Sequence, residues 1–282
     1  MVPSQVIGIL SAVAAAVVWG SADFAGGQAA RRHSPLFVLA LASLSGLLVL
    51  LPAALLTRES IPSWPGIIWS SLAGLSGGLG IAVFYRALST GPAALVAPSA
   101  GVVGAAIPVV VASLTEGFPR VGQVVGLALG LAGIWFVSSG SDHKASPGSN
   151  PLPLAIAAGF GFGGFFVFIT QVQHGLVFTP LVVAKLSALA LGAGLLLASK
   201  QPLLGVSPSP VAWLAGILDA GGNIFYVLAA QYARLDIAAV ISSMGPGTTV
   251  LLARAIQHER MTGLQSIGLV LCLTAVAFIA AG

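Results

Sequence analysis

At 282 residues the chain is 57% hydrophobic and only 6% charged, with a mean hydropathy of +1.03, whereas a soluble chain carries roughly 25% charged residues to cover its surface. Water is therefore excluded as the main solvent. The net charge of +4 rests on scattered residues, without the basic runs or aromatic interleaving that nucleic acid requires, so it reads as membrane topology and no nucleic-acid partner is expected.

Taken in chain order, the apolar runs predict an all-α membrane protein. The first run, 6–24, is preceded by no Lys or Arg, so it reads as a retained helix rather than a cleaved signal. It carries Trp19 and, near its predicted end, Asp23. Runs at 36–56 and 66–89 follow, the latter with Gly74, Gly78, Ala82 and Tyr85. Run 93–114 holds Pro98 and Pro108, and run 121–138 holds Gly122, Gly126 and Gly130. That small-xxx-small spacing suits close packing within the monomer, with a homodimer seam as the alternative. A Ser/Gly/Pro stretch at 139–150 separates these five runs from five more, at 154–173, 178–199, 211–232, 237–256 and 263–281. A membrane crossing takes about 20 apolar residues, so the chain holds ten transmembrane helices and no large soluble domain. The predicted division is 1–138, a linker at 139–152, and 153–282.

The two halves echo each other. Trp19-Gly20 and Phe24 align with Phe160-Gly161 and Phe165; Ser34-Pro35-Leu36 aligns with Thr179-Pro180-Leu181. Trp69 and Gly74 fall near Trp213 and Gly216, Phe84-Tyr85 matches Phe225-Tyr226, and Glu116 matches Glu259, all at an offset of 141 to 145 residues. This is the signature of a duplicated unit. Because each unit has an odd number of helices, the second enters the membrane from the opposite side and the repeats are inverted. Inverted repeats meeting at a central site are a recurring architecture of carriers.

The Trp-Gly of VVWGSADF, the Tyr-Arg-Ala-Leu of FYRALSTGPAAL and the Glu of LTEGFPRVGQVVGLALGLAG resemble the EamA domain of the drug/metabolite transporter superfamily. FYVLAAQYARLDIAAV and PGTTVLLARAIQHERMTGLQSIGLVL resemble a second copy. The resemblance covers essentially the whole chain. It implies a secondary carrier, an exporter of amino acids or similar metabolites, with a site lined by the first, third and fourth helices of each half and termini in the cytoplasm. The repeat of this family often has a Pro about thirteen residues before its Glu; Pro246 fits before Glu259, whereas the first half has Val103 there.

A charge at the centre of a membrane helix costs roughly 2.5–3.5 kcal/mol or more, so each asks for a reason. Lys185, nearly two turns into the seventh run, is expected to snorkel to the interface. Asp219, near the middle of the eighth run, has too short a stem for that. Asn223 and Tyr226 lie on its face at i+4 and i+7, and the matching face of the third run carries Gly78, Ala82 and Tyr85. Asp219, Asn223, Tyr226, Tyr85, Gly78 and Trp19 are the expected substrate-binding residues. The alternative is a buried bridge from Asp219 to Lys185 or Arg86. Trp19 could equally anchor at the interface. Pro98, Pro108 and Pro246 are expected to break or gate their helices, since proline frees carbonyls that neighbours must satisfy.

The four histidines show no ligand spacing and Cys272 is the single cysteine, so no metal, disulfide or cofactor is expected. No phosphate loop is present, which points away from direct ATP coupling. The expected partners are a small-molecule substrate and membrane lipid, in the bacterial inner membrane. A non-transporting membrane subunit or channel, or less readily an intramembrane enzyme, is the competing reading. The ten runs put both termini on one side. The charge count, heavier at Arg31, Arg32, Arg86, Lys144, Lys200, Arg254 and Arg260 than at Arg58, Arg120 and Arg234, favours termini outside, against the family resemblance.

Overall fold

The computed structural model describes residues 4–90, 93–138, 151–199, 209–257 and 262–281. Among them the chain is helical, with no strand: α1 (Ser4–Ala30), α2 (Pro35–Leu56), α3 (Trp64–Thr90), α4 (Ala93–Thr115), α5 (Val121–Ser138), α6 (Leu152–Ile169), α7 (Phe178–Ala198), α8 (Pro210–Tyr232), α9 (Leu235–Ser242), α10 (Gly245–Gln257) and α11 (Gly263–Ala281). By length and composition, α1, α2, α3, α6, α7 and α8 can each cross a membrane, and α4, α5 and α11 contain shorter apolar stretches. The linker expected at 139–152 falls largely outside the described residues.

Two of the entries into helices are set locally. Ser34 accepts a hydrogen bond from the Phe37 amide at 3.3 Å with Pro35 in the first turn, and Ser209 does the same for Ala212 at 3.3 Å with Pro210 behind it. A serine cap and a proline whose missing N–H is not needed make a sharp start.

Packing is inverted relative to a soluble protein. Interior positions are dominated by alanine and glycine, including fully buried Ala12, Ala73, Ala105, Ala158 and Ala229, while large apolar side chains such as Leu10, Leu56, Phe118 and Leu273 lie on the outside. Lipid is as apolar as leucine, so helix association comes from close backbone approach between small residues. Gly74 of α3 meets the backbone of Ala184 on α7, and Gly216 of α8 meets the backbone of Ala42 on α2; a β-carbon at either glycine would overlap the opposing carbonyl. These two contacts occupy matching positions in the two halves.

The helices interlock across the halves in the same way. α1 packs on α8 and α3 on α6; α2 packs on α8 and α3 on α7; α4 packs on α6, while α9 and α10 pack on α1. α5 and α11 pair with each other beside this bundle. Gly130 of α5 faces Val240, Met244 and Ala275, and Gly133 faces Cys272, so this part of the glycine face is used inside the monomer.

Two boundaries differ from the sequence expectation. The ninth run, expected as one helix over 237–256, is two helices separated at Ser243 and Met244, joined by tight turns in which the Met244 amide donates to Ile241 and that of Gly247 to Met244. Glycines on both sides of Pro246 weaken a continuous helix there. The first helix runs on to Ala30 instead of ending at 24, because a Gly-Gly-Gln-Ala-Ala tail with low hydropathy is still helical when packed. Asp23 is thereby two turns inside.

Candidate functional site

The crossing of α1, α2, α3, α4, α6, α7, α8 and the α9–α10 break forms a cavity of about 150 Å³. Its space comes from small residues on its walls, Gly74, Gly77 and Gly78 of α3, Gly101 and Gly104 of α4, and Ala184 and Ala188 of α7.

Its polar groups come from both halves. Lys185 of α7 and Asp219 of α8 form an ion pair, with side chains 9% and 19% exposed. Asn223, one turn along α8, donates to the same Asp219 oxygen at 3.4 Å. The methylene stem of Lys185 lies against Gly46 of α2, whose missing side chain leaves room for it. Sharing Oδ2 between an ammonium and an amide offsets part of the desolvation of the buried pair.

Asp23 of α1 also lines the cavity. Among the described residues it has no hydrogen bond or ion pair, and it shares the space with the carboxylate of Asp219. Tyr85 of α3 completes this side: its hydroxyl passes over Gly26 of α1, within electrostatic reach of both carboxylates.

Another part of the wall is aromatic. Trp19 meets Phe165 at 6.3 Å edge-on, Phe166 at 5.5 Å and Tyr226 at 5.6 Å, and Phe166 and Tyr226 centroids are 4.7 Å apart. Trp19 sits flat enough to fill the space at Gly222 of α8. Phe84 and Phe162, 5.5 Å apart, extend the wall on the other flank.

Beyond the aromatic cluster, at the end of the bundle where α1 begins, the halves are tied together by polar contacts. Glu59, between α2 and α3, accepts from the amides of Val177 at 2.7 Å and Thr179 at 2.5 Å and from the Thr179 hydroxyl at 2.8 Å. A carboxylate at the amide end of α7 caps it and complements its dipole. Ser63 donates to Gln173 at 3.3 Å. Arg234 pairs with Asp236 and donates to the carbonyls of Gly117 at 2.7 Å and Glu116 at 3.3 Å, closing the end of α4.

The EamA-like transporter family model matches residues 6–139 and again 150–281. The chain belongs to the EamA-like transporter family. No curated protein matches it. It is similar to solved structures, among them one described only as "Crystal structure of protein", with a TM-score of 0.75 at 20% identity over 97% of this chain and 96% of that one; identity that low speaks for the fold. Two copies of an EamA-like unit and long apolar helices make this an integral, multi-pass membrane protein.

Of the residues expected from sequence, Asp219, Asn223, Tyr85, Trp19, Gly78 and Pro246 come together around the cavity. Tyr226 does not line it. It is fully buried behind Trp19 and Phe166 and donates to the Phe166 carbonyl at 3.1 Å. Pro246 follows the break between α9 and α10. Pro108 is buried within an uninterrupted α4, so it does not break that helix; Pro98 lies in the same helix, its side chain outside the described set. The expectation that Lys185 snorkels is overturned: it is 7% exposed and points inward to Asp219. The alternative given for Asp219, a bridge to Lys185, is the one the structure shows. The cavity is lined by α1, α3, α4, α6, α8 and the α9–α10 break, and α2 and α7 contribute too, through Leu39, Ser43, Leu181 and Lys185. Ser43 and Lys185 gave a usable signal, since polar residues inside apolar runs 36–56 and 178–199 ask for a partner.

Proposed function

We propose that the protein is a secondary carrier in the bacterial inner membrane that exports small metabolites by alternating access. The observation that carries this is a central cavity, built from matching helices of both repeats, with charged groups at membrane depth and a seal at one end. In this reading the chain crosses the membrane ten times as two inverted five-helix repeats, 1–138 and 153–282, with α9 and α10 together forming one crossing. Asp219, Asn223, Tyr85, Trp19 and Gly78 contact the substrate, and the break before Pro246 gives local mobility beside it.

Support for the conformational part comes from how the cavity is bounded. Tyr226 lies seven residues beyond Asp219, about 10 Å further along α8, and with Phe165 and Phe166 separates the cavity from the end fastened by Glu59 and Arg234. Rocking one repeat on the other would undo that fastening and open the site to that end.

The test is reconstitution in liposomes followed by uptake and counterflow of labelled amino acids and other metabolites. Saturable, counterflow-competent transport by the wild type is expected. Absence of counterflow across the panel, with the protein folded and inserted, returns the chain to the reading as a membrane subunit or channel. Single cysteines in 139–150 and at each terminus, in a Cys272→Ala background, test the ten crossings: labelling of the two termini from opposite sides overturns that topology.

A further inference from the structure

We infer that the cavity selects a small organic monocation, an amine with an apolar ring-sized body, and that Asp23 is its counter-charge. The inference rests on the cavity being the substrate site and narrows the substrate class. Three charged side chains of described residues line the cavity: Asp23, Asp219 and Lys185. Lys185 is committed to Asp219, which leaves Asp23, among the described residues, as the lining carboxyl group without a partner. Arg86, next to Tyr85 in sequence, is on the exposed face of α3 and does not line the space.

An unpartnered carboxylate at this depth is costly; a proton relieves it, and an entering ammonium can take the place of that proton. A zwitterion brings a second carboxylate whose cationic partner could only be Lys185, so binding it would break the existing pair and leave Asp219 exposed to the same cost. An anion would meet the carboxyl groups of Asp23 and Asp219, with the lining ammonium of Lys185 already paired. Net charge is therefore the property on which the site discriminates.

The walls describe the rest of the ligand. Trp19 is one helical turn from Asp23 on the same face of α1, placed for a cation–π contact with a group held by the carboxylate. Phe84, Phe162 and Phe165 supply apolar surface around it. An apolar cavity of about 150 Å³ accepts a benzene ring, which matches the volume found here.

Three compounds sharing a phenyl ring on a two-carbon chain separate the possibilities: phenethylamine, phenylalanine and 3-phenylpropionate, with net charges of +1, 0 and −1 at neutral pH. Binding to full-length purified protein in detergent is measured by calorimetry and by thermal shift, for the wild type, Asp23→Asn and Asp23→Glu. Phenethylamine is expected to bind at least about tenfold more tightly than either other compound, to lose about tenfold or more in Asp23→Asn, and to keep most of its affinity in Asp23→Glu. Equal or tighter binding of phenylalanine or 3-phenylpropionate, binding of none of the three, or unchanged phenethylamine affinity in Asp23→Asn overturns the inference. If Asp23→Asn fails to fold, the wild-type order of the three compounds still decides. Binding in detergent requires no translocation, so failure here is distinguishable from failure of the carrier reading, which the liposome assay judges.

Discussion

Tyr85 and Tyr226 follow the same Phe at matching places in the two repeats, yet they end in different surroundings. Tyr85 lines the cavity with a hydroxyl that has no hydrogen bond among the described residues, whereas Tyr226 is sealed in an aromatic cluster with its hydroxyl on the Phe166 carbonyl. A duplicated sequence has thus been folded into two unlike ends, one loosely walled and one plugged. The difference teaches that a position in the repeat does not fix a role: the neighbours across the interface do.

The largest effect that would sharpen this contrast concerns the charged pair, which has no counterpart in the first repeat, where Ala40 and Gly78 stand near the matching places. Lys185→Ala leaves the partly buried Asp219 with Asn223 alone as its partner and is expected to cost up to about 3–5 kcal/mol, read as a lowered thermal melt. Lys185→Met with Asp219→Asn removes both charges and should recover most of that loss. A single substitution as stable as the double would show that solvent in the cavity screens the pair.

Next come the two glycines at which the halves touch. Gly74→Ala and Gly216→Ala each push a β-carbon into an opposing carbonyl, and both should lose about 1–3 kcal/mol by overpacking. Unequal losses in the melt would mean that the two seams are less alike than their geometry.

The tyrosines themselves provide a smaller and more direct test. Tyr226→Phe should lower stability by about 1 kcal/mol through the lost hydrogen bond and leave substrate affinity unchanged. Tyr85→Phe should do the reverse, leaving the melt in place and shifting the apparent KM for transport. If both variants shift KM, Tyr226 reaches the substrate in another conformation and the contrast belongs to this state alone.

The smallest effect is expected at the fastened end. Glu59→Gln keeps the shape but removes the charge that holds the amides of Val177 and Thr179, a loss of about 0.5–1 kcal/mol. That should raise thiol labelling of a cysteine placed at Ala230, which lines the recess at that end, in a Cys272→Ala background. Unchanged labelling would show that the aromatic cluster alone keeps the end shut.

The repeat and the long apolar helices were legible because both write long-range patterns into one sequence, an offset near half the chain and runs of membrane length. Asp219 was legible for a similar reason: a short charged side chain in mid-run has few bland explanations. Its neighbours were harder. Lys185 was misread because a long stem permits snorkelling, and only the gap at Gly46 shows which way it turns. Asp23 was passed over because hydropathy fades after Phe24 while the helix continues, so a residue at the apparent margin was inside the bundle. Tyr226 shares a face with Asp219, but a common face extends past the cavity, and residue spacing does not say where the cavity stops.

The twin seams of Gly74 on Ala184 and Gly216 on Ala42 bear on how much work a moving carrier must do. Surfaces made of backbone and methyl groups mesh without knobs and holes, so one can slip on the other without rotamers first being pulled from their sockets. Under the proposed alternating access, such a bearing would keep the alternative positions of the repeats close in free energy. Swinging a two-state balance from 1:99 to 99:1 takes about 5.5 kcal/mol of differential binding, and with smooth seams that sum is within the reach of a single small passenger.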